Sequence, residues 1–283
     1  MRFEGARQDV GLVWGQIRYQ NTIFWRTPIA AFFTIVFPLM FLVIFTLVFG
    51  NERIDELGIT LGQYYAPAMA VFGAVSATYT NITIQTAIVR DEGILKRVRG
   101  TPLPAWIYVA GRIASAAYVA AIAAAVMLAV GVAAYGVKIF AVAAPALGVT
   151  FLVGVMCFSA LGLLVAALTP SSDAAPAIAN ATLLPLAFIS GIFFVSGPSE
   201  PALLRAVAGA FPLRPFGLAF RDGFDPIEVA ARGGWGGQFH WVELAIMTVW
   251  LVAGASLAAR FFTWEPRRGD RRPRPRSRAA AQG

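Results

Sequence analysis

Charge is what this sequence has least of. Asp, Glu, Lys and Arg make up 13% of its 283 residues and hydrophobic residues 58%, whereas soluble chains are typically about 25% charged and about 45–50% apolar. With a mean hydropathy of +0.68, the apolar excess cannot be hidden in one core. A soluble single-core protein and a disordered chain are both excluded, and a bilayer is the expected solvent. Cysteine and histidine occur once each, as Cys157 inside an apolar run and as His240. That excludes a disulfide scaffold and leaves too few ligands for a zinc or iron site from one chain. A Cys–His catalytic pair is disfavoured because the two are expected at different depths. Lysine occurs twice, at Lys96 and Lys138, and neither follows a glycine. A nucleotide-binding P-loop needs Gly-Lys-Ser/Thr, so that backbone amides cradle phosphate and the lysine reaches it. The chain does not hydrolyse ATP by that route.

The few charges there are mark out long gaps. Arg26 and Glu52 bracket 25 uncharged residues, Glu56 and Arg90 bracket 33, and Arg112 and Lys138 bracket 25. Lys138 and Asp173 bracket 34, and Asp173 and Glu200 bracket 26. Each gap exceeds the roughly 20 residues a helix needs to cross about 30 Å of hydrocarbon. Without the alternation of a barrel, such runs satisfy their backbone hydrogen bonds only as helices. The fold class is an all-α membrane protein with six transmembrane helices, near 29–49, 64–89, 107–134, 142–168, 176–196 and 242–262. The sixth has the thinnest support, since Glu243 stands at its start and 16 uncharged residues follow before Arg260. Trp241 and Trp264 bracket it as an aromatic belt does. The first run, starting at Ile29, lacks a small-residue cleavage site after it and reads as a span rather than a signal peptide.

Six spans put both termini on one side. With that topology one side holds 17 of the 23 Lys and Arg residues, so both termini are expected in the cytoplasm of a cell (plasma) membrane protein. The tail 263–283 is basic, rich in proline and expected to be disordered. An arm lying on anionic lipid explains it better than nucleic-acid binding, at about 1 kcal/mol per cation near the surface. The isoelectric point of about 10.2 therefore concerns the membrane. No charge is expected mid-span, where ion-coupled carriers keep theirs. Arg112, eight residues after Pro104, is expected to snorkel to the cytoplasmic face. The machine is passive on its own, which implies a partner that supplies energy.

Residues 1–28 carry Val10, Val13, Trp14, Ile17 and Phe24 at near-helical spacing, with Arg7, Gln16, Arg18 and Gln20 between them, before Pro28 breaks the segment. The pattern predicts an amphipathic helix in the cytoplasmic interface. The connection 90–104 packs six charges into its first ten residues, continues helically from the second span and ends at glycine and prolines. Its residues Glu92-Gly93 and Leu95-Lys96-Arg97-Val98-Arg99-Gly100-Thr101-Pro102-Leu103-Pro104 resemble the signature of permeases of the ATP-binding-cassette type-two exporter family, among them daunorubicin-resistance-type permeases. The resemblance covers nearly the whole chain, although the arginine-rich tail departs from it. It implies a permease working as a homo- or heterodimer, with a second copy or a paralogue, on separate ABC ATPase subunits. ATP and Mg would sit on those partners, with no cofactor bound by this chain. It also implies that Glu92, Gly93, Lys96, Arg97, Arg99, Thr101 and Pro102 form the ATPase-coupling surface. Lys96, four residues after Glu92, is expected to pair with it and support a short coupling helix.

The outer segment 197–240 has an apolar face (Leu203, Leu204, Val207, Phe211), a second helical stretch from Pro212, and a flexible Gly233–Gly237 turn. The resemblance implies short re-entrant helices there. The second span is unusually polar for lipid: Ser76, Thr80 and Thr83 share one helical face, and Asn81 and Gln85 another. Two uses fit these groups, a substrate pathway or interhelical hydrogen bonds. Span three carries Ala117, Ala121 and Ala125 at close-packing spacing. Phe188, Phe193 and Phe194 suit an apolar cargo or plain lipid contact. The expected function is export of a hydrophobic or amphipathic molecule (a drug-like compound, lipid or glycolipid), driven by the ATPase partner. A multipass enzyme acting on lipid is the alternative, as is a subunit that only assembles a transporter. The enzyme lacks a catalytic set, because His240 stands alone among Asp222, Asp225, Glu228 and Glu243.

Overall fold

A computed structural model describes residues 2–54, 57–100, 104–195 and 200–262. Thr101, Pro102 and the tail 263–283, with Trp264, lie outside the described residues. Helix α1 (Arg2–Trp25) ends where Pro28 supplies no N–H, and the same proline opens the next helix at its first position. That next rod, Pro28–Val48, is α2 (Pro28–Ala31) and α3 (Phe37–Val48) joined through π-helical Phe32–Val36. A two-stranded antiparallel hairpin follows, β1 (Arg53–Ile54) pairing with β2 (Ile59–Thr60), with Arg53 opposite Thr60. The Thr60 hydroxyl then caps α4 (Leu61–Val75) by accepting the Gln63 N–H at 3.3 Å. Helix α4 runs through π-helical Ser76–Thr80 into α5 (Asn81–Asp91), so residues 61–91 form one continuous rod.

Short α6 (Ile94–Arg99) leads to α7 (Ala105–Tyr135), which Gly136 terminates with φ of 67°. The remaining helices are α8 (Ala144–Leu168), α9 (Ala175–Ile189), α10 (Ala202–Ala210), α11 (Leu213–Asp222), α12 (Pro226–Arg232) and α13 (Trp241–Phe261). Among the described residues four helices are long and apolar enough to cross a membrane: Pro28–Val48, Trp106–Tyr135, Ala141–Leu168 and Trp241–Phe261. The pair α10 and α11, bent by 96°, makes a fifth if it is one span. Helix lies at all six places the charge gaps marked, but two of the six differ from an ordinary span. The rod 61–91 carries the polar cluster from Ser76 to Thr86. Helix α9 stops at Ile189 rather than near 196, because Gly191 takes φ of 77° and turns the chain. At about 1.5 Å per residue, its 15 residues cover about 22 Å.

The rod 61–91 is the centre of the bundle. Nearly all of α4 is buried, between α3, α7 and α11, while α8 packs along α5 and α13. Leu47, Val48, Leu152, Val249 and Val252 point outward and exposed. A soluble surface would not tolerate so many outward apolar side chains, and a bilayer does. Away from the basic connection, Gln63 ties distant segments together. Its Nε2 donates to the Lys138 carbonyl at 2.9 Å and to the Phe224 carbonyl, and its Oε1 accepts the Lys138 N–H at 2.8 Å.

Helix α1 does form, and Trp14, Tyr19 and Trp25 remain exposed on it. Its other side, however, lies against α7 rather than on an independent surface. The crossing is close at Gly111, where a Cβ would stand 2.4 Å from Gln16 Cβ. That approach is why α7 carries glycine at Gly111, in its second turn.

Candidate functional site

Two places gather the functional candidates. The first is a groove of about 320 Å³ bordered by the rod Pro28–Val48, the rod 61–91 and α9. Its walls are mostly apolar, with Phe33, Phe37, Phe72, Leu183 and Leu184 among them, and its polar groups come chiefly from Ser76, Thr80, Asn81, Gln85 and Asn180. Four of the five expected pathway residues therefore border one groove. The fifth, Thr83, is elsewhere: its hydroxyl donates within hydrogen-bond reach of the Tyr79 carbonyl at 2.7 Å and the Gly162 carbonyl of α8 at 3.0 Å. Thr83 joins helices. Tyr79 does the same through its hydroxyl, 2.6 Å from Thr182 Oγ1 of α9.

Both rods bordering the groove are π-helical where they face it, at Phe32–Val36 and Ser76–Thr80. A π-turn inserts one residue and swings everything after it by about 100°. Ser76 and Thr80 within the π-turn, and Asn81 and Gln85 after it, are thereby brought to one wall. The Thr80 hydroxyl is buried without a hydrogen-bond partner, and neither the Asn81 nor the Gln85 amide is paired with a described residue. Unsatisfied polar groups beside an apolar groove are what a ligand-facing wall requires. Of the three phenylalanines, Phe193 is buried against Phe41 and Phe72, Phe188 lies tilted against it with ring centroids 5.0 Å apart, and Phe194 is exposed.

The second place is the basic connection after the rod 61–91. Gly93 has φ of 73°, a left-handed conformation that residues with a Cβ resist, and it separates α5 from α6. The connection therefore does not continue helically, and Glu92 lies outside α6. The expected Glu92–Lys96 pair does not form, because the turn at Gly93 removes the one-turn spacing it needs. Glu92, Lys96 and Arg97 are exposed, while Leu95 is fully buried and anchors α6. Arg99 lies on α6, and Thr101 and Pro102 lie beyond the described residues.

Sequence reasoning missed what holds this connection. Arg90 is buried, donating from Nη1 to the Ala166 carbonyl and from Nη2 to the Thr169 carbonyl, both at 2.9 Å, and from Nε to Asp91 Oδ1 at 3.1 Å. Asp91 Oδ2 accepts the Ser172 N–H at 2.6 Å. The end of α5 is thus latched to the end of α8 and to the turn before α9. Arg112, expected to reach solvent, is instead 5% exposed beneath α1.

At the opposite end Arg214 and Glu200 make a bidentate pair at 2.8 and 2.6 Å. His240 stands 3.7 Å from Asp222 and 3.7 Å from Glu243. These acids flank the imidazole. No group of three or more His, Cys, Asp or Glu among those residues could hold a metal ion.

Long outward-apolar helices around a buried polar-lined rod define a multi-pass, all-helical membrane protein. The ABC-2 type transporter family matches residues 12–224, and the chain belongs to it. It is the permease component of an ABC transporter, a role that needs no catalytic residues of its own. No curated protein matches the chain.

Proposed function

We propose that this chain is the permease half of an ATP-driven exporter of hydrophobic or amphipathic molecules, driven by separate ATPase subunits through residues 90–104. In this reading it spans the plasma membrane six times, counting the rod 61–91 and α9 as spans two and five, with both termini cytoplasmic. A second copy or a paralogue completes the transporter, and ATP and Mg bind the ATPase partners. Helices α10 and α11 form a re-entrant cap on the outer side, supported by their 96° bend and by the Arg214–Glu200 pair that fastens it.

One observation carries the cargo class. The groove is mostly apolar, with its polar groups concentrated on the rod 61–91 and joined by Asn180 of α9, which suits a molecule with a greasy body and a polar end. The test is Asn81→Leu and Gln85→Leu. Each is expected to change the relative export of a panel of fluorescent amphipaths by several-fold or more, while the ATPase still co-purifies. If both variants lose the complex instead, the two amides are structural and the pathway reading fails.

A further inference from the structure

Three arginines are buried among the described residues, and two of them are fully provided for. Arg90 has two carbonyls and Asp91, and Arg214 has both oxygens of Glu200. Arg112 has neither arrangement. Its Nη1 makes only two long contacts, to Gln20 Oε1 at 3.4 Å and the Tyr108 hydroxyl at 3.3 Å, and both acceptors are neutral. Among the described residues its Nε has no partner, and no carboxylate lies within ion-pair distance of it. A guanidinium held from water without a counter-charge is strongly disfavoured. Such a group persists where something anionic completes it.

Arg112 also faces a space that could admit one. A cavity of about 20 Å³ lies between α1, α5 and α7, with Gln20, Asn81, Gln85, Arg112 and Ser115 as its polar lining. That is room for a single water-sized atom group. Ser115 is already committed, donating to Asn21 Oδ1 at 2.8 Å. Asn81 and Gln85 border this cavity and the large apolar groove as well, so their side chains are the partition between the two. An acidic oxygen entering between them meets two free amide N–H groups and then the open edge of Arg112. The remainder of its molecule stays in the groove.

We propose that Arg112 is the headgroup site for an anionic amphipath. One phosphate or carboxylate oxygen pairs with Arg112, the Asn81 and Gln85 amides flank it, and the apolar tail lies along Phe33, Phe37 and Phe72. The proposal rests on the groove being the cargo pathway, and narrows the cargo from any amphipath to one with an acidic end. A bilayer phospholipid and an exported molecule share this chemistry.

The full chain, purified in a maltoside detergent without ATP or ATPase, can be titrated with dodecyl phosphate, with dodecyl glucoside and with inorganic phosphate. Dodecyl phosphate is expected to bind at least about 10-fold more tightly than either of the others, since both charge and tail are used. Arg112→Gln is expected to lose at least about 10-fold of that affinity and Arg112→Lys to retain most of it. Should Arg112→Gln fail to fold, a photoreactive alkyl phosphate on the natural sequence gives the answer. Its label belongs on the groove walls formed by the rods Pro28–Val48 and 61–91. Competition by phosphatidylglycerol in nanodiscs would assign the site to bilayer lipid, and its absence to cargo that enters through the groove. Equal affinity for dodecyl phosphate and dodecyl glucoside, equal affinity of Arg112→Gln and the natural chain, or label confined to other helices would overturn the proposal. Because binding is read without the ATPase, a chain that binds the phosphate yet fails to export it when co-expressed with its ATPase would contradict the transport reading alone.

Discussion

Replacing Glu92 and Gly93 together by lysine and tryptophan is expected to abolish export while the chain still inserts into the membrane. Gly93 holds φ of 73° between α5 and α6, and a side chain there costs about 1–2 kcal/mol in the left-handed region. The turn would relax, and α6 would no longer project at the angle its buried Leu95 sets. Reversing the charge of exposed Glu92 changes the surface offered to the ATPase at the same time. A partner can push only on structured segments at its own side of the membrane. The connection between α8 and α9 is short. Co-expressed with its ATPase, the variant should leave a fluorescent amphipath inside the cell, and cargo should cease to stimulate ATP hydrolysis. Normal efflux would reduce the connection to a positive-inside anchor.

Arg90→Ala is expected to be nearly as damaging, for a different reason. The arginine is 2% exposed and bonds the carbonyls of Ala166 and Thr169 while orienting Asp91 toward the Ser172 N–H. Its loss leaves two carbonyls and a carboxylate underprovided, at a cost of about 2–4 kcal/mol. It also unfastens the basic connection from α8 and α9, so that in the proposed mechanism a push on α6 would move the end of α5 alone. Thermal melting in detergent should fall by several degrees, and ATP-driven efflux should drop at least about 10-fold with the ATPase still bound. Arg90→Lys keeps the charge but cannot fork to two carbonyls, and should fall between the two. An unchanged melting point and efflux would mean that the latch carries neither stability nor motion.

How much of this was legible depends on whether a feature is local. The charge gaps located six helical stretches because lipid forbids unpaired charge, a constraint written residue by residue. Pro28, which opens the first rod, was readable for the same reason. The end of α9 was not, since Ser190 and Gly191 sit inside an uninterrupted gap and only the turn itself reveals them. The polar cluster of the second rod was visible by composition, yet its faces were misassigned. Helical spacing grouped Ser76, Thr80 and Thr83, whereas the π-turn at Ser76–Thr80 shifts the phase and puts Thr83 against α8. Similarly, spacing paired Glu92 with Lys96 because the conformation of Gly93 could not be known. Arg112 was read as snorkelling because nothing in the sequence brings Gln20 over it, 92 residues away. The Arg90 latch was hidden in the same way, its charge resembling one more cytoplasmic anchor.

The central claim is that α6 is where an ATPase drives this chain. A photo-crosslinking amino acid at Lys96, exposed on α6, tests it in native membranes, with the same substitution at exposed Gly236 as the opposite-side control. Lys96 is expected to form a covalent adduct with a P-loop ATPase whose yield changes when ATP is added, and Gly236 to give none. Adducts from Lys96 to lipid or to this chain alone, or ATPase adducts of equal yield from both positions, would contradict it.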